Sequence, residues 1–142
     1  MKLEKIEDFE VWKKAEAFCD AVNAVLMRPA FVKNVDLHGQ VQEAGDSILS
    51  NMSEGFEQPT DRAFAKFLYV SKASAAEVRT RLARAQKRGL LTRMELVRLQ
   101  KQGDEVARMT TGLIKHLLKT PDRRRGLGPT TNDDQRPTTN DD

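Results

Sequence analysis

The chain has 142 residues, about a third of them charged and few aromatic, with a formal net charge of +3. That length suits a single domain, and a composition rich in Ala, Leu, Glu, Lys and Arg favours helix over sheet. No apolar run approaches the ~20 residues that cross a bilayer, the N-terminus M-K-L-E-K-I-E-D is not a signal peptide, and the single cysteine, Cys19, has no internal disulfide partner. The expectation is a cytoplasmic protein.

Four segments repeat apolar residues every three to four positions, which predicts four helices. The first spans about 8–27, with Trp12, Ala15, Cys19, Val22 and Leu26 on one stripe and Val11, Phe18 and Val25 widening it. A stripe that wide implies more than one neighbour. Asp8 is the expected N-cap and Pro29 the expected stop. The second helix spans about 36–54 along Leu37, Val41, Ala44, Ile48 and Asn51, with Gly55 expected as a left-handed cap. The third, about 60–88, carries Phe64, Leu68, Ser71, Ala75, Val78, Leu82 and Ala85, and Gly89 closes it. The fourth, about 92–119, opens on the capping box Thr92-x-x-Glu95. Its seam is Leu96, Leu99, Gly103, Val106, Thr110, Leu113 and Leu117. Gly103 marks a close helix approach, because an exposed mid-helix glycine costs about 1 kcal/mol.

Alternating three- and four-residue spacings give narrow seams suited to roughly +20° packing. Short second and third connections make neighbours antiparallel. The fold class is therefore all-α, an antiparallel up-down-up-down four-helix bundle over 1–121. Beyond Pro121 the chain turns polar and repeats the hexamer Pro-Thr-Thr-Asn-Asp-Asp at 129–134 and 137–142. With almost nothing apolar to offset ordering entropy, 122–142 reads as a disordered low-complexity tail.

The centre of the chain carries a recognisable pattern. Ser47, Ile48, Asn51, Glu54, Gly55 and Phe56 are followed by Phe64, Phe67 and Leu68, then by Ser74 and Glu77. With Val11, Trp12 and Ala15 upstream and Leu37 and Gln40 between, this resembles the bacterial four helix bundle proteins also called 23S rRNA-intervening-sequence proteins, over about residues 6–119. The resemblance implies a homo-oligomer, typically a pentameric ring, and marks Trp12, Asn51, Glu54, Gly55, Phe56, Ser74 and Glu77 as the structural motif. Related bundles are accessory subunits of diversity-generating retroelements, where a basic ring joins a reverse transcriptase to its nucleic acid. The chain departs from the family pattern at Gln42-Glu43 and at Glu57-Gln58, where relatives often carry basic residues.

Here the positive charge lies later. Residues 1–57 hold 6 basic and 11 acidic side chains, whereas 58–121 hold 14 basic and 5 acidic. Arg79, Arg81, Arg84, Lys87, Arg88 and Arg93 follow one another without an acid, and Arg81, Arg84 and Arg88 share one stripe. On the fourth helix Arg98, Lys101, Arg108, Lys115 and Lys119 share another. Such a field attracts phosphate backbones without reading sequence. A face pairing with the acidic half of a neighbouring subunit, or a solvated face, is the plainer reading. The scarcity of aromatics there argues against base stacking.

The polar residues Asn51, Ser53, Glu54, Ser71, Ser74 and Glu77 cluster where the second and third helices meet. Polar seam residues set register and oligomer state; a ligand or nucleic-acid site at the same place is the alternative. Nothing points to catalysis or cofactors. His38 and His116 form no metal-ligand pattern, phosphate loops and nucleophile elbows are absent, and Cys19 falls on an apolar stripe. The expectation is a non-enzymatic, homo-oligomeric bundle without cofactor or metal that binds nucleic acid through the basic face of its third and fourth helices. An accessory subunit bound to a reverse transcriptase and template RNA, and a purely structural assembly module, are the alternatives.

Overall fold

The four seams close on one core in the computed structural model, which describes residues 5–119. The repeated hexamer and the rest of the expected tail lie outside the described residues. A 3-10 turn, Ile6–Asp8, leads into α1 (Glu10–Leu26); α2 (Pro29–Lys33), α3 (Val35–Phe56), α4 (Asp61–Lys87) and α5 (Arg93–Leu117) follow. Among the described residues there is no strand. α1 packs on α3 and α5, α3 on α4, and α4 on α5, while the backbones of the two diagonal pairs of long helices stay apart. Each long helix thus lies beside its sequence neighbours, and the last lies beside the first, which is the up-down-up-down square.

Most seam positions lie where their spacing directs them, but toward the ends of α3 and α5 the buried members are Met52 and Ile114, while the expected Asn51 and Leu113 are only partly buried. Leu37, Val41, Ile48, Leu68, Val78, Leu82 and Val106 are buried in this shared core, and full burial of such side chains contributes about 1.5–3 kcal/mol each. The wide stripe of α1 meets two neighbours, α3 and α5. Val11, Phe18 and Val25 are buried within the chain together with Trp12, Ala15, Cys19, Val22 and Leu26. This face therefore offers nothing to a second subunit.

The helix ends show which local signals decide. Thr60 Oγ1 accepts from the Ala63 N–H at 3.1 Å and starts α4. Gly89, at φ +79°, ends it: its N–H bonds the Gln86 carbonyl and the Leu90 N–H bonds the Ala85 carbonyl, a Schellman cap with Leu90 folded into the core. Thr92 Oγ1 and the Glu95 carboxylate cap each other's N–H at the start of α5.

Three expected ends differ. Asp8 does not cap α1: Phe9 occupies that position without a side-chain bond, and Asp8 instead accepts from the Lys5 N–H at 3.2 Å. Pro29 does more than stop α1, which ends at Leu26 with Arg28 extended before the proline; it also opens α2, where a missing N–H costs nothing. Gly55 is no left-handed cap. It lies inside α3, buried, where a Cβ would stand 2.8 Å from the Phe64 ring and 2.8 Å from Phe67 Cβ. Its role is to let α4 approach. Phe9, Phe56 and Phe64 pack edge to face at this end, with centroids 5.6–6.2 Å apart. At the opposite end Arg28 makes a two-pronged ion pair with Glu95, Nη1 to Oε1 at 3.0 Å and Nη2 to Oε2, tying the α1–α2 connection to the start of α5.

Candidate nucleic-acid interface

Two polar features distinguish the bundle, one inside it and one on its surface. Inside, the serine-rich end of the α3 seam meets α4. Ser71 is buried and donates to the Ile48 carbonyl at 2.8 Å. Ser74 donates to Ser47 Oγ at 2.8 Å, which in turn accepts from Asn51 Nδ2 at 3.0 Å. Asn51 makes its other bond to the Ser47 carbonyl, within its own helix. The register contacts across α3 and α4 therefore come from Ser71 and Ser74, not from Asn51. Glu54 and Glu77 do not join this cluster: Glu54 is exposed, and Glu77 pairs with Arg81 one turn on, at 3.4 Å. With hydroxyls satisfied by carbonyls and by each other, the cluster is a structural staple.

On the surface, α4 and α5 enclose an open groove of about 480 Å³. Lys72 and Arg79 line it from α4; Asp104, Arg108, Thr111 and Lys115 line it from α5. Lys72 and Arg79 are seven residues apart, as are Arg108 and Lys115. Seven residues are about two turns, so each pair shares a helix side with ~10.5 Å between its members. Four cations thus face one carboxylate. The aliphatic stem of Arg79 runs over Gly103, where a Cβ would come within 2.9 Å of it and of Phe18 Cζ. That close approach holds α5 against α1 and fixes the guanidinium at the groove edge. Arg79 Nη1 stands 3.6 Å from Asp104 Oδ1 and, although sheltered from solvent, has no hydrogen-bond partner. The other oxygen of Asp104 holds Arg108 Nη1.

A family model for the 23S rRNA-intervening sequence protein matches residues 7–112. The chain belongs to that family. The family's central pattern is now physical: Ser47, Ile48 and Ser74 supply the staple between α3 and α4, Gly55 the close approach, Phe56 and Phe64 the aromatic cluster. A crystal structure from the S23 ribosomal protein family, of a Bacteroides thetaiotaomicron protein of unknown function, aligns with a TM-score of 0.67 and 21% identity. The match covers 74% of this chain and 98% of that one, and it speaks for the fold. Comparison with curated proteins gives no match.

In this family member the basic residues do not form one continuous face. Arg79 and Arg81, two positions apart, diverge by about 200° around α4. Arg79 faces the groove with Arg108 and Lys115, while Arg81 turns away and pairs with Glu77. Arg84, Lys87 and Arg88 line a separate shallow depression with Thr80 and Ala83. Arg88 also donates to Asn34 Oδ1 at 2.6 Å, so the expected Arg81–Arg84–Arg88 stripe is partly engaged within the chain. Arg93, Arg98 and Lys101 are exposed and lie outside the groove. Lys72, Asp104 and Thr111 were not singled out by sequence; the shared seven-residue spacing is the signal that would have found Lys72.

The nucleophile inventory is short. Burial, with Asp20, Asp46 and Glu16 nearby, pushes the Cys19 thiol up to about 12, and Sγ donates weakly to the Gly45 carbonyl. The thiol stays protonated. Trp12 is buried with its Nε1 unbonded, a core anchor in α1. Among the described residues no three His, Cys, Asp or Glu side chains group to hold a metal ion, and no helix is long and apolar enough to cross a membrane.

Proposed function

We propose that this chain is a non-enzymatic nucleic-acid-binding bundle whose α4–α5 surface takes the phosphate backbone. The observation that supports the reading is the groove: Lys72, Arg79, Arg108 and Lys115 converge from two helices on a space that holds a single carboxylate, Asp104. Groove cations bound to phosphate give affinity without base readout, and no aromatic side chain lines the groove for bases to stack on. The shallow patch of Arg84, Lys87 and Arg88 on the same helix extends the field. Homo-oligomeric assembly is a separate proposal carried by the family resemblance, since the apolar face of α1 is covered within the chain.

The test is salt-dependent binding of duplex DNA and RNA to the parent and to a triple variant, Lys72→Gln, Arg108→Gln and Lys115→Gln. These side chains are surface groups, so helix content and stability should stay near those of the parent. The slope of log K against log salt should flatten by up to about 2.7, at roughly 0.9 for each phosphate no longer neutralised. A triple variant that binds with the parent's affinity and slope would refute the reading. Light scattering on both proteins gives the mass, and a monomer would remove the assembly proposal while leaving the binding one.

A further inference from the structure

The groove contains its own anion. Asp104 extends from α5 between the two arginines and satisfies them unequally: Oδ2 holds Arg108, whereas Arg79 Nη1 stands 3.6 Å from Oδ1. That is close enough for Coulomb attraction but too far for a hydrogen bond. The sheltered Nη1 donor is thus directed at an anion position that the carboxylate fills incompletely. Beyond Asp104 the groove opens toward Thr111, Gly112 and Lys115, and a Cβ on Gly112 would meet nothing within 4 Å.

We propose that Asp104 is a built-in competitor for phosphate: the position it occupies between Arg79 and Arg108 is a phosphate seat, and binding displaces the carboxylate from both guanidiniums. The inference rests on the nucleic-acid reading and deepens it, by stating where a phosphate sits and what it must displace. The chemistry is symmetrical. A carboxylate offers two anionic oxygens to two guanidiniums; a phosphodiester offers two as well, in the geometry that guanidinium forks also accept. Lys72 and Lys115, farther along the groove, complete the charge for a neighbouring phosphate. Asp104 is half-exposed, so it can swing out to water without a buried charge being stranded. Competition of this kind keeps the groove from holding every passing anion and makes binding weaker than the cation count alone implies.

The same chemistry has two sources, the backbone of a nucleic acid and a free phosphorylated small molecule. The experiment measures binding of a labelled duplex, of a labelled single-stranded RNA and of inorganic pyrophosphate to three proteins at several salt concentrations: the parent, Asp104→Asn and Gly112→Leu. Asn keeps the shape and removes the competing charge. Asp104→Asn should bind roughly three- to tenfold tighter, the factor expected when two partly exposed ion pairs no longer have to be broken. Its salt slope should be steeper by roughly 0.9 for each arginine freed to meet phosphate. Gly112→Leu leaves every cation in place and fills the groove; its affinity should fall at least several-fold. Circular dichroism confirms folding of both, and because the two variants act by opposite means, misfolding of one leaves the other to decide.

A parent that binds oligonucleotides while neither variant changes the affinity would overturn the seat and leave the nucleic-acid reading standing. Asp104→Asn binding more weakly than the parent would overturn it too, by showing that the carboxylate positions the arginines. Tighter pyrophosphate binding by Asp104→Asn, with no oligonucleotide binding by any of the three proteins, would keep the seat, assign it to a free phosphorylated ligand and refute the nucleic-acid reading. No binding of any of the three probes by any protein would overturn both.

Discussion

Replacing Gly55 with alanine places a methyl group where α3 and α4 leave no room. Its Cβ would lie 2.8 Å from Phe64 Cδ1, 2.8 Å from Phe67 Cβ and 3.2 Å from the Phe64 carbonyl oxygen. Two of these three are a Cβ and a backbone atom, which cannot rotate aside, and the Phe64 ring is wedged between Phe9 and Phe56. The only relief is for α4 to back away from α3. Overpacking of this kind costs about 1–3 kcal/mol, against a gain of about 0.5–1 kcal/mol from replacing a helical glycine. The expected net loss is about 0–2.5 kcal/mol, centred near 1. Gly45→Ala is the control: it sits in the same helix, but its Cβ meets nothing within 4 Å, so only the helix term remains and the variant should gain about 0.5–1 kcal/mol. Urea unfolding followed by far-ultraviolet dichroism and by the fluorescence of Trp12, the only tryptophan, measures both. Two variants stabilised alike would refute the assignment of Gly55 as a packing contact.

Arg28, through its guanidinium, and Thr92, through its N–H, hold the Glu95 carboxyl well below the ordinary carboxylate range, at about 2. A depressed carboxylate stabilises the fold above its unfolded pKa, so this contribution should be complete above about pH 4.5 and disappear as pH falls toward 2. Glu95→Gln keeps a capping acceptor for Thr92 but ends the charge pair; it should cost about 1 kcal/mol or less at pH 7 and flatten the acid limb of stability against pH, and an unaltered acid limb would contradict the clamp. Ser71→Ala should lower stability by about 0.5–1.5 kcal/mol through loss of the buried bond to Ile48, whereas Asn51→Ala, which removes bonds to a single residue of its own helix, should leave the α3–α4 register unchanged in amide chemical shifts.

How far the sequence was legible follows from how local each signal is. Seam positions such as Leu68, Val78 and Leu82 depend on helical period alone, and Thr60, Gly89 and the Thr92–Glu95 box depend on four or five consecutive residues. These were readable. Gly55 was not, because a glycine after a polar helix end suits both a left-handed cap and a close contact, and only the position of Phe64 and Phe67 in space separates the two. The helix α2 is five residues long, too short to show a period. The groove was half legible: Arg79, Arg108 and Lys115 stood out as charge, but their convergence with Lys72 depends on the register between two helices, which no single-helix stripe encodes. Treating Arg81, Arg84 and Arg88 as one free stripe overlooked Glu77 one turn before Arg81, and Asn34, far off in sequence, beside Arg88.

The square arrangement has a consequence for the order in which the molecule assembles. The two most extensive interfaces, α3 on α4 and α4 on α5, join helices adjacent in sequence, whereas the sparser packing of α1 on α5 must close almost the whole described chain. Loop-closure entropy makes such distant pairings late to form. The helical hairpins of α3, α4 and α5 are therefore expected to condense first, with α1 docking last and the Arg28–Glu95 pair latching the ring of helices shut. The same asymmetry should run in reverse in the native state: amides of α1 should exchange with solvent through a smaller opening than those of α4, and equal protection in the two helices would argue for a single cooperative unit. α4, which lines the basic groove with Lys72 and Arg79, then belongs to the part of the molecule that opens last.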